Sequence, residues 1–143
     1  MTDLPDPMTP AIRAFLEPPR FVSVATVDPD GAPRQAVVWY ALEPDGRILL
    51  NSRTPRRWCT NLMRDPRISL SVTDEADGYR WLGLIGVVEE VIDEVERARD
   101  DIVALAHRYQ PGGPSASSIA EFRSQPRVTF LVRVTAIHDH LDR

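Results

Sequence analysis

Apolar and polar residues alternate most cleanly over residues 68–73, where Ile68, Leu70 and Val72 interleave with Ser69, Ser71 and Thr73. That is the two-residue period of a strand with one buried face. Residues 21–27 have the same texture and end in the turn Asp28-Pro29-Asp30-Gly31. Residues 35–42 predict a second strand, with Val37, Val38, Trp39 and Tyr40, closed by Glu43-Pro44-Asp45-Gly46, and residues 47–52 predict a third around Ile48-Leu49-Leu50. Three consecutive strands joined by tight turns predict an antiparallel meander. Residues 79–91 form a long strand in which Gly83 and Gly86 mark a bulge, a bend or a close approach. Residues 128–137 close the fold. Both faces of that last segment hold apolar residues, which predicts a central strand or an interface.

Elsewhere the period lengthens to that of a helix. Thr9-Pro10 caps a short helix with Ile12, Phe15 and Leu16 on one face; it stops before Pro18-Pro19 and plugs one end of the sheet. Trp58, Leu62 and Met63 place a helix over 55–64, with Thr54 as N-cap and Pro55 at its first position. Val95, Ala98, Ile102, Leu105 and Tyr109 place another over 93–109, packed across the sheet. Residues 110–118 read as a flexible loop, 118–124 as a short helical turn and 1–8 as a loose arm. Six strands with flanking helices predict an α+β fold, a small antiparallel barrel, in one domain spanning 1–143.

Composition narrows the function. At 143 residues, 43% apolar and 27% charged, the chain can bury a core without disulfides or metal. No apolar run approaches the ~20 residues of a membrane span, and the start lacks a signal-peptide pattern, so a cytoplasmic location with no membrane partner is expected. A net charge of −4 argues against nucleic acid as a partner. All 17 cations are arginine, which removes lysine Schiff-base chemistry and a Walker-type loop. Cys59 is the only cysteine, so it either packs on its helix or acts as a thiol activated by Arg56. His138-Asp139-His140 offers two imidazoles but no third metal ligand, and no metal site is assigned. With no self-sufficient acid–base or nucleophile set, catalysis would depend on a bound cofactor and a small-molecule substrate.

The candidate chemistry lies in Arg53-Thr54-Pro55-Arg56-Arg57-Trp58. Cations at a helix start oppose the helix dipole by ~0.3–1 kcal/mol each. Three guanidinium groups beside free backbone N–H donors either form solvated surface or make an anion site, most naturally for phosphate.

Phe21-Val22-Ser23-Val24-Ala25-Thr26-Val27-Asp28-Pro29-Asp30-Gly31-Ala32-Pro33, Val38-Trp39-Tyr40 and Asn61-Leu62-Met63-Arg64-Asp65-Pro66-Arg67 together resemble the pyridoxamine 5′-phosphate oxidase-like split-barrel superfamily. The likeness is strongest to its flavin/deazaflavin oxidoreductases that use coenzyme F420. The segment from Tyr79 to Gly86, followed by the acidic helix and His107-Arg108-Tyr109, resembles the branch containing F420-dependent biliverdin reductases. The resemblance implies a six-stranded split barrel working as a homodimer, with the cofactor in a groove between protomers. By position, Arg56 matches a phosphate-binding arginine, with Arg57 and Arg53 beside it. Leu50, Asn51 and Ser52 match the strand end along the cofactor, and Pro33, Gln35, Ala36 and Val38 the strand beside its ring. Asn61 belongs to the shared motif, and Trp81 matches an aromatic that packs near the ring. Trp58 stands where F420-binding members usually have lysine. Trp39, Trp58 and Trp81 are each open to core packing instead. The implied activity is hydride transfer between F420 and a conjugated or heteroaromatic substrate such as biliverdin. FMN is the alternative cofactor, and a non-catalytic F420- or haem-related carrier the alternative function. FMN ends in one compact phosphate, whereas the long polyglutamate tail of F420 calls for an extended basic groove.

Overall fold

The computed structural model describes residues 7–142. Residues 1–6 of the expected arm lie outside the described residues, and Met8 at its end is buried. In chain order the elements are α1 (Pro10–Leu16), β1 (Val22–Val27), β2 (Pro33–Val38), β3 (Ala41–Leu42), β4 (Ile48–Arg53), α2 (Arg57–Arg64), β5 (Arg67–Thr73), β6 (Trp81–Ile92), α3 (Val95–Tyr109), α4 (Ala116–Arg123) and β7 (Arg127–His140). The strands form one antiparallel sheet of order β2-β1-β5-β6-β7-β4-β3. There are seven strands rather than six because the segment expected as one strand over 35–42 divides at Trp39-Tyr40.

That division corrects the expected meander. β2 pairs with β1 and β3 with β4, which puts β2 and β3 at opposite edges of the sheet. Yet only Trp39 and Tyr40 separate them, and three Cα steps span at most about 11 Å. The two edges therefore approach each other at this corner, and the sheet curls into a half-open barrel. Side chains fix the corner to both neighbouring helices. The Tyr40 hydroxyl donates to the Leu16 carbonyl at 2.9 Å, and burial pushes its pKa up to about 12. Tyr109 accepts from the Tyr40 N–H at 3.1 Å. The Arg108 guanidinium donates to the carbonyls of Leu16, Glu17, Pro18 and Tyr40 at 2.7–3.2 Å. Carbonyls at the end of α1 have no partner within the helix, so Arg108 completes them.

The inward residues of the sheet, among them Val24, Leu50, Leu70, Leu84 and Phe130, form one core with Phe15 and Leu16 of α1 and Trp58 and Leu62 of α2. Burying each large side chain contributes about 1.5–3 kcal/mol. On the other face of β4 and β7, Leu49 and Leu131 pack against Ile102 and Leu105 of α3. This explains why β7 is apolar on both sides: it is a central strand, paired with β6 and β4 and covered by α3. The expected close approach is at Gly86, beside a bulge, where a Cβ would stand 2.6 Å from Val132 Cγ1 and 3.0 Å from the Arg133 carbonyl oxygen.

Helix starts differ from expectation by local hydrogen bonding. Thr54 and Pro55 sit in a turn closed by the Arg56 N–H on the Arg53 carbonyl at 3.0 Å, with a cis Thr54–Pro55 peptide. The helix begins only at Arg57, with Arg56 at its N-cap and no side-chain cap. Likewise α3 starts after Glu94, whose carboxylate accepts from the Glu96 and Arg97 N–H groups, and α4 starts after Ser115.

Candidate functional site

Along β4 and β7, Leu49 lies opposite Leu131, Asn51 opposite Thr129 and Arg53 opposite Arg127. Alternate residues of paired strands share a face, so this face grades from apolar through neutral polar to cationic. A cavity of about 240 Å³ opens along the gradient. Asn51, Arg56, Trp58 and Arg127 line its polar end; Phe21, Val37, Val38, Trp39, Ile102, Leu105 and Phe122 give it apolar walls. Trp58 also packs on Phe130 with 6.2 Å between ring centroids, so one indole serves core and cavity together. Trp39 is held by stacking on Tyr109 at 5.1 Å.

Arg127 is only 5% exposed. It donates to Gln125 Oε1 at 2.9 Å and to Asn51 Oδ1 at 3.4 Å, and its guanidinium lies 5.2 Å from the Phe122 ring centroid. Burial, reinforced by the charges of Arg56 and Arg53, pulls its pKa down to about 10. Among the described residues, none of Arg53, Arg56 and Arg127 is within ion-pair distance of a carboxylate. A chain of bonds does lead from Arg127 through Asn51 to Thr129 (2.9 Å) and on to Asp101 (2.8 Å), but Asp101 already pairs with Arg97 at 3.0 Å. Arg53 Nε is buried without a hydrogen-bond partner, while Ser52, on the opposite face of β4, lies beside the Cys59 thiol. An orphaned guanidinium N–H and an uncompensated buried cation suit the phosphate end of a ligand, and the apolar walls suit a flat organic group.

The other candidates separate into three places. Leu50 is buried in the main core and Ala36 packs against it. Arg57 and Asn61 face Asp28 across the far flank of α2: Asn61 Nδ2 donates to Thr26 Oγ1 at 3.0 Å and Asp28 Oδ1 at 2.8 Å, while Arg57 stands 3.8 Å from Asp28 Oδ2. Pro33, Gln35 and Trp81 lie on the outer face of the β1/β2/β5/β6 region, away from the arginine cavity. There Trp81 stacks with His138 and His140, each at 5.2 Å, over a depression of about 280 Å³ floored by small residues. Cys59 is fully buried, and burial pushes its thiol pKa up. Among the described residues no group of three or more His, Cys, Asp or Glu side chains is placed to hold a metal, and no helix is long and apolar enough to cross a membrane.

Arg127 and Phe122 escaped the sequence reading. A lone arginine opening a strand gives no local signal; its meaning comes from register, which sets it opposite Arg53.

The curled antiparallel sheet, with a helix leaving the end of β4 beside the cationic cavity, defines a split barrel. Residues 8–140 match the family described as pyridoxamine 5′-phosphate oxidase, and the chain belongs to that family. Among solved structures it is similar to an F420 reductase, at 29% identity over 88% of this chain and 94% of that one, with a TM-score of 0.76. It is also similar to the conserved hypothetical protein Rv2991 of Mycobacterium tuberculosis, at 26% identity over 98% and 91% of the two chains and a TM-score of 0.71. The haem storage protein HutZ of Vibrio cholerae, at 17% identity over 91% and 92% with a TM-score of 0.67, shares the fold. No curated protein matches this chain.

Proposed function

We infer that the chain is a cytoplasmic oxidoreductase that binds the deazaflavin F420 in the arginine cavity and passes hydride between it and a conjugated or heteroaromatic small molecule, tetrapyrroles such as biliverdin being the first to test. The observation that carries this reading is one cavity with a cationic, carboxylate-free end and apolar walls at the β4–α2 junction of this family's fold. Similarity to an F420 reductase supports the deazaflavin. In this reading Arg56 and Arg53 hold the phosphate, Asn51 and Ser52 fix the strand end beside it, and Val38, Trp39 and Trp58 orient the ring and exclude water. When bound, the cofactor supplies the hydride; the protein contributes binding, orientation and arginine charge near the substrate. Leu50 and Ala36 shape the floor from within the core, while Arg57 and Asn61 set the angle of α2 through Asp28.

Trp81, Gln35 and Pro33 join such a site only across a homodimer. Ile85, 54% accessible beside Trp81 and the small residues Ser23, Ala25, Ser69, Ser71 and Gly83, supports that assembly.

Two rivals have a specific observation behind them. FMN suits the compactness of the arginine cluster, since its phosphate is one small dianion. A carrier for F420 or a haem-related ligand fits a lining that contains no carboxylate, imidazole or thiol to move a proton.

Titration of the purified protein with F420 and FMN side by side decides the cofactor, and oxidation of reduced F420 by a panel of acceptors under anaerobic conditions decides turnover. Arg56→Ala should weaken cofactor binding by about 1.5–3 kcal/mol, the worth of a charged hydrogen bond. An unchanged dissociation constant would remove Arg56 from the site, and FMN binding with indifference to F420 would replace the deazaflavin.

A further inference from the structure

We propose that Arg53, Arg56 and Arg127 together form a phosphate-binding cluster whose buried anchor is Arg127, and that the ligand-free protein holds these three charges in a mutual repulsion that a bound phosphate relieves. The proposal rests on the reading of this cavity as a cofactor site and adds to it a residue and an energetic state.

Burial is the first ground. Arg127 is 5% exposed, and a buried charge with no paired carboxylate is strongly disfavoured unless a ligand completes it. Register is the second. Arg53 and Arg127 stand directly opposite on adjacent antiparallel strands, where like charges destabilise the pair, and Arg56 lines the same cavity as Arg127. The third is an orphaned donor. Arg53 Nε, on the cavity face of β4, is buried with no partner, and native proteins rarely leave such a group unsatisfied without a ligand or water to meet it. A phosphate group answers all three: it brings negative charge, and its oxygens accept from guanidinium forks in pairs, the unpartnered Arg53 Nε among them.

The competing role for Arg127 is structural. It bonds Gln125 beyond the end of α4 and lies on the ring of Phe122, so the guanidinium serves equally well as a pin for that helix. The two roles predict opposite stabilities. A pin stabilises the ligand-free chain, whereas an uncompensated cation destabilises it, and an apolar side chain of similar length removes the repulsion while filling the space.

The experiment follows the thermal midpoint of the full chain against inorganic phosphate, with ionic strength held constant by chloride. The wild type should gain midpoint with phosphate. Arg127→Met should keep or raise the phosphate-free midpoint while losing the phosphate-dependent rise, with affinity falling about tenfold or more. A large drop without phosphate, with the rise intact, overturns the proposal. Should Arg127→Met fail to fold, Arg53→Met at the strand end takes its place: it should raise the phosphate-free midpoint and weaken the response, and an unchanged response overturns the cluster. Direct binding of FMN, riboflavin and F420 separates this proposal from the cofactor reading. FMN or F420 bound equally by wild type and Arg127→Met sinks the cluster and leaves the cofactor. An Arg127-dependent phosphate response with neither cofactor bound upholds the cluster and sinks the cofactor.

Discussion

On one flank of α2, Arg34 grips the carboxylate of Asp28 with bonds of 2.9–3.2 Å, Asn61 donates to the same group, and Arg57 approaches it at 3.8 Å. On the other flank Arg53, Arg56 and Arg127 gather with no carboxylate among the described residues. The residue type is shared; the bookkeeping of charge is not. Where arginine meets a carboxylate, the group holds the turn after β1 against α2. Where arginines meet only neutral amides and an aromatic ring, the protein alone leaves their charge unbalanced, and a ligand would complement it. If that distinction is real, changes on the paired flank should alter stability without altering anion binding, and changes on the unpaired flank should do the reverse.

The strongest way to strain this contrast on the paired side is Asn61→Ala. Asn61 is 1% exposed and bridges Thr26 to Asp28, so its loss leaves two buried groups short of a donor. Destabilisation of about 2–3 kcal/mol is expected, measured by denaturant unfolding. Phosphate affinity should not change. A parallel loss of both would mean that α2 transmits between its flanks and that they are not independent.

Acid gives a second, smaller test. The Arg34 hydrogen bond, then that of Asn61, lowers the Asp28 pKa from 3.8 to about 2. A carboxyl with a depressed folded pKa stabilises the fold above its unfolded value and loses that contribution as pH falls through the folded one. Stability should therefore decline between about pH 3.8 and 2, and Asp28→Asn should flatten part of the decline. Asp65, lowered to about 2 by Arg67, accounts for part of what remains. An acid profile identical in wild type and Asp28→Asn would show that the Arg34 pair contributes nothing.

The contrast also explains which parts of the molecule could be read from its residues. Strand periods and turn chemistry are local, so β1, β5, α3 and the turns at Gly31 and Gly46, both with positive φ, follow directly from sequence. Pairing is not local. The expected meander does not form because Trp39-Tyr40 passes the chain from one sheet edge to the other, held there by Arg108 and Tyr109, some seventy residues away. The helix start at Arg57 was displaced by a backbone turn whose closing bond has no side-chain signature. At the candidate site the cations of the β4–α2 junction were legible, because three arginines within five residues form a local pattern. Arg127 was not. Its place beside Arg53 depends on a strand register that joins residues more than seventy positions apart.

The finest test compares two neighbours in sequence. Arg56 and Arg57 are adjacent at the start of α2, yet Arg56 lines the cavity while Arg57 turns to Asp28. Charge and position at the helix start give no reason to separate them; only the family resemblance singles out Arg56. The Arg57 side chain is 56% accessible, and its approach to Asp28 is long for an ion pair, on a carboxylate that Arg34 already holds. An exposed pair of this kind contributes about 0–1 kcal/mol, so Arg57→Ala should cost about 0.5 kcal/mol or less in unfolding free energy. It should leave phosphate and cofactor affinity close to wild type, apart from a weak long-range loss of one positive charge that added salt suppresses. Equal losses of binding for Arg57→Ala and Arg56→Ala, persisting in high salt, would mean that both side chains reach the ligand and that the division of arginines between the two flanks of α2 does not survive in the bound state.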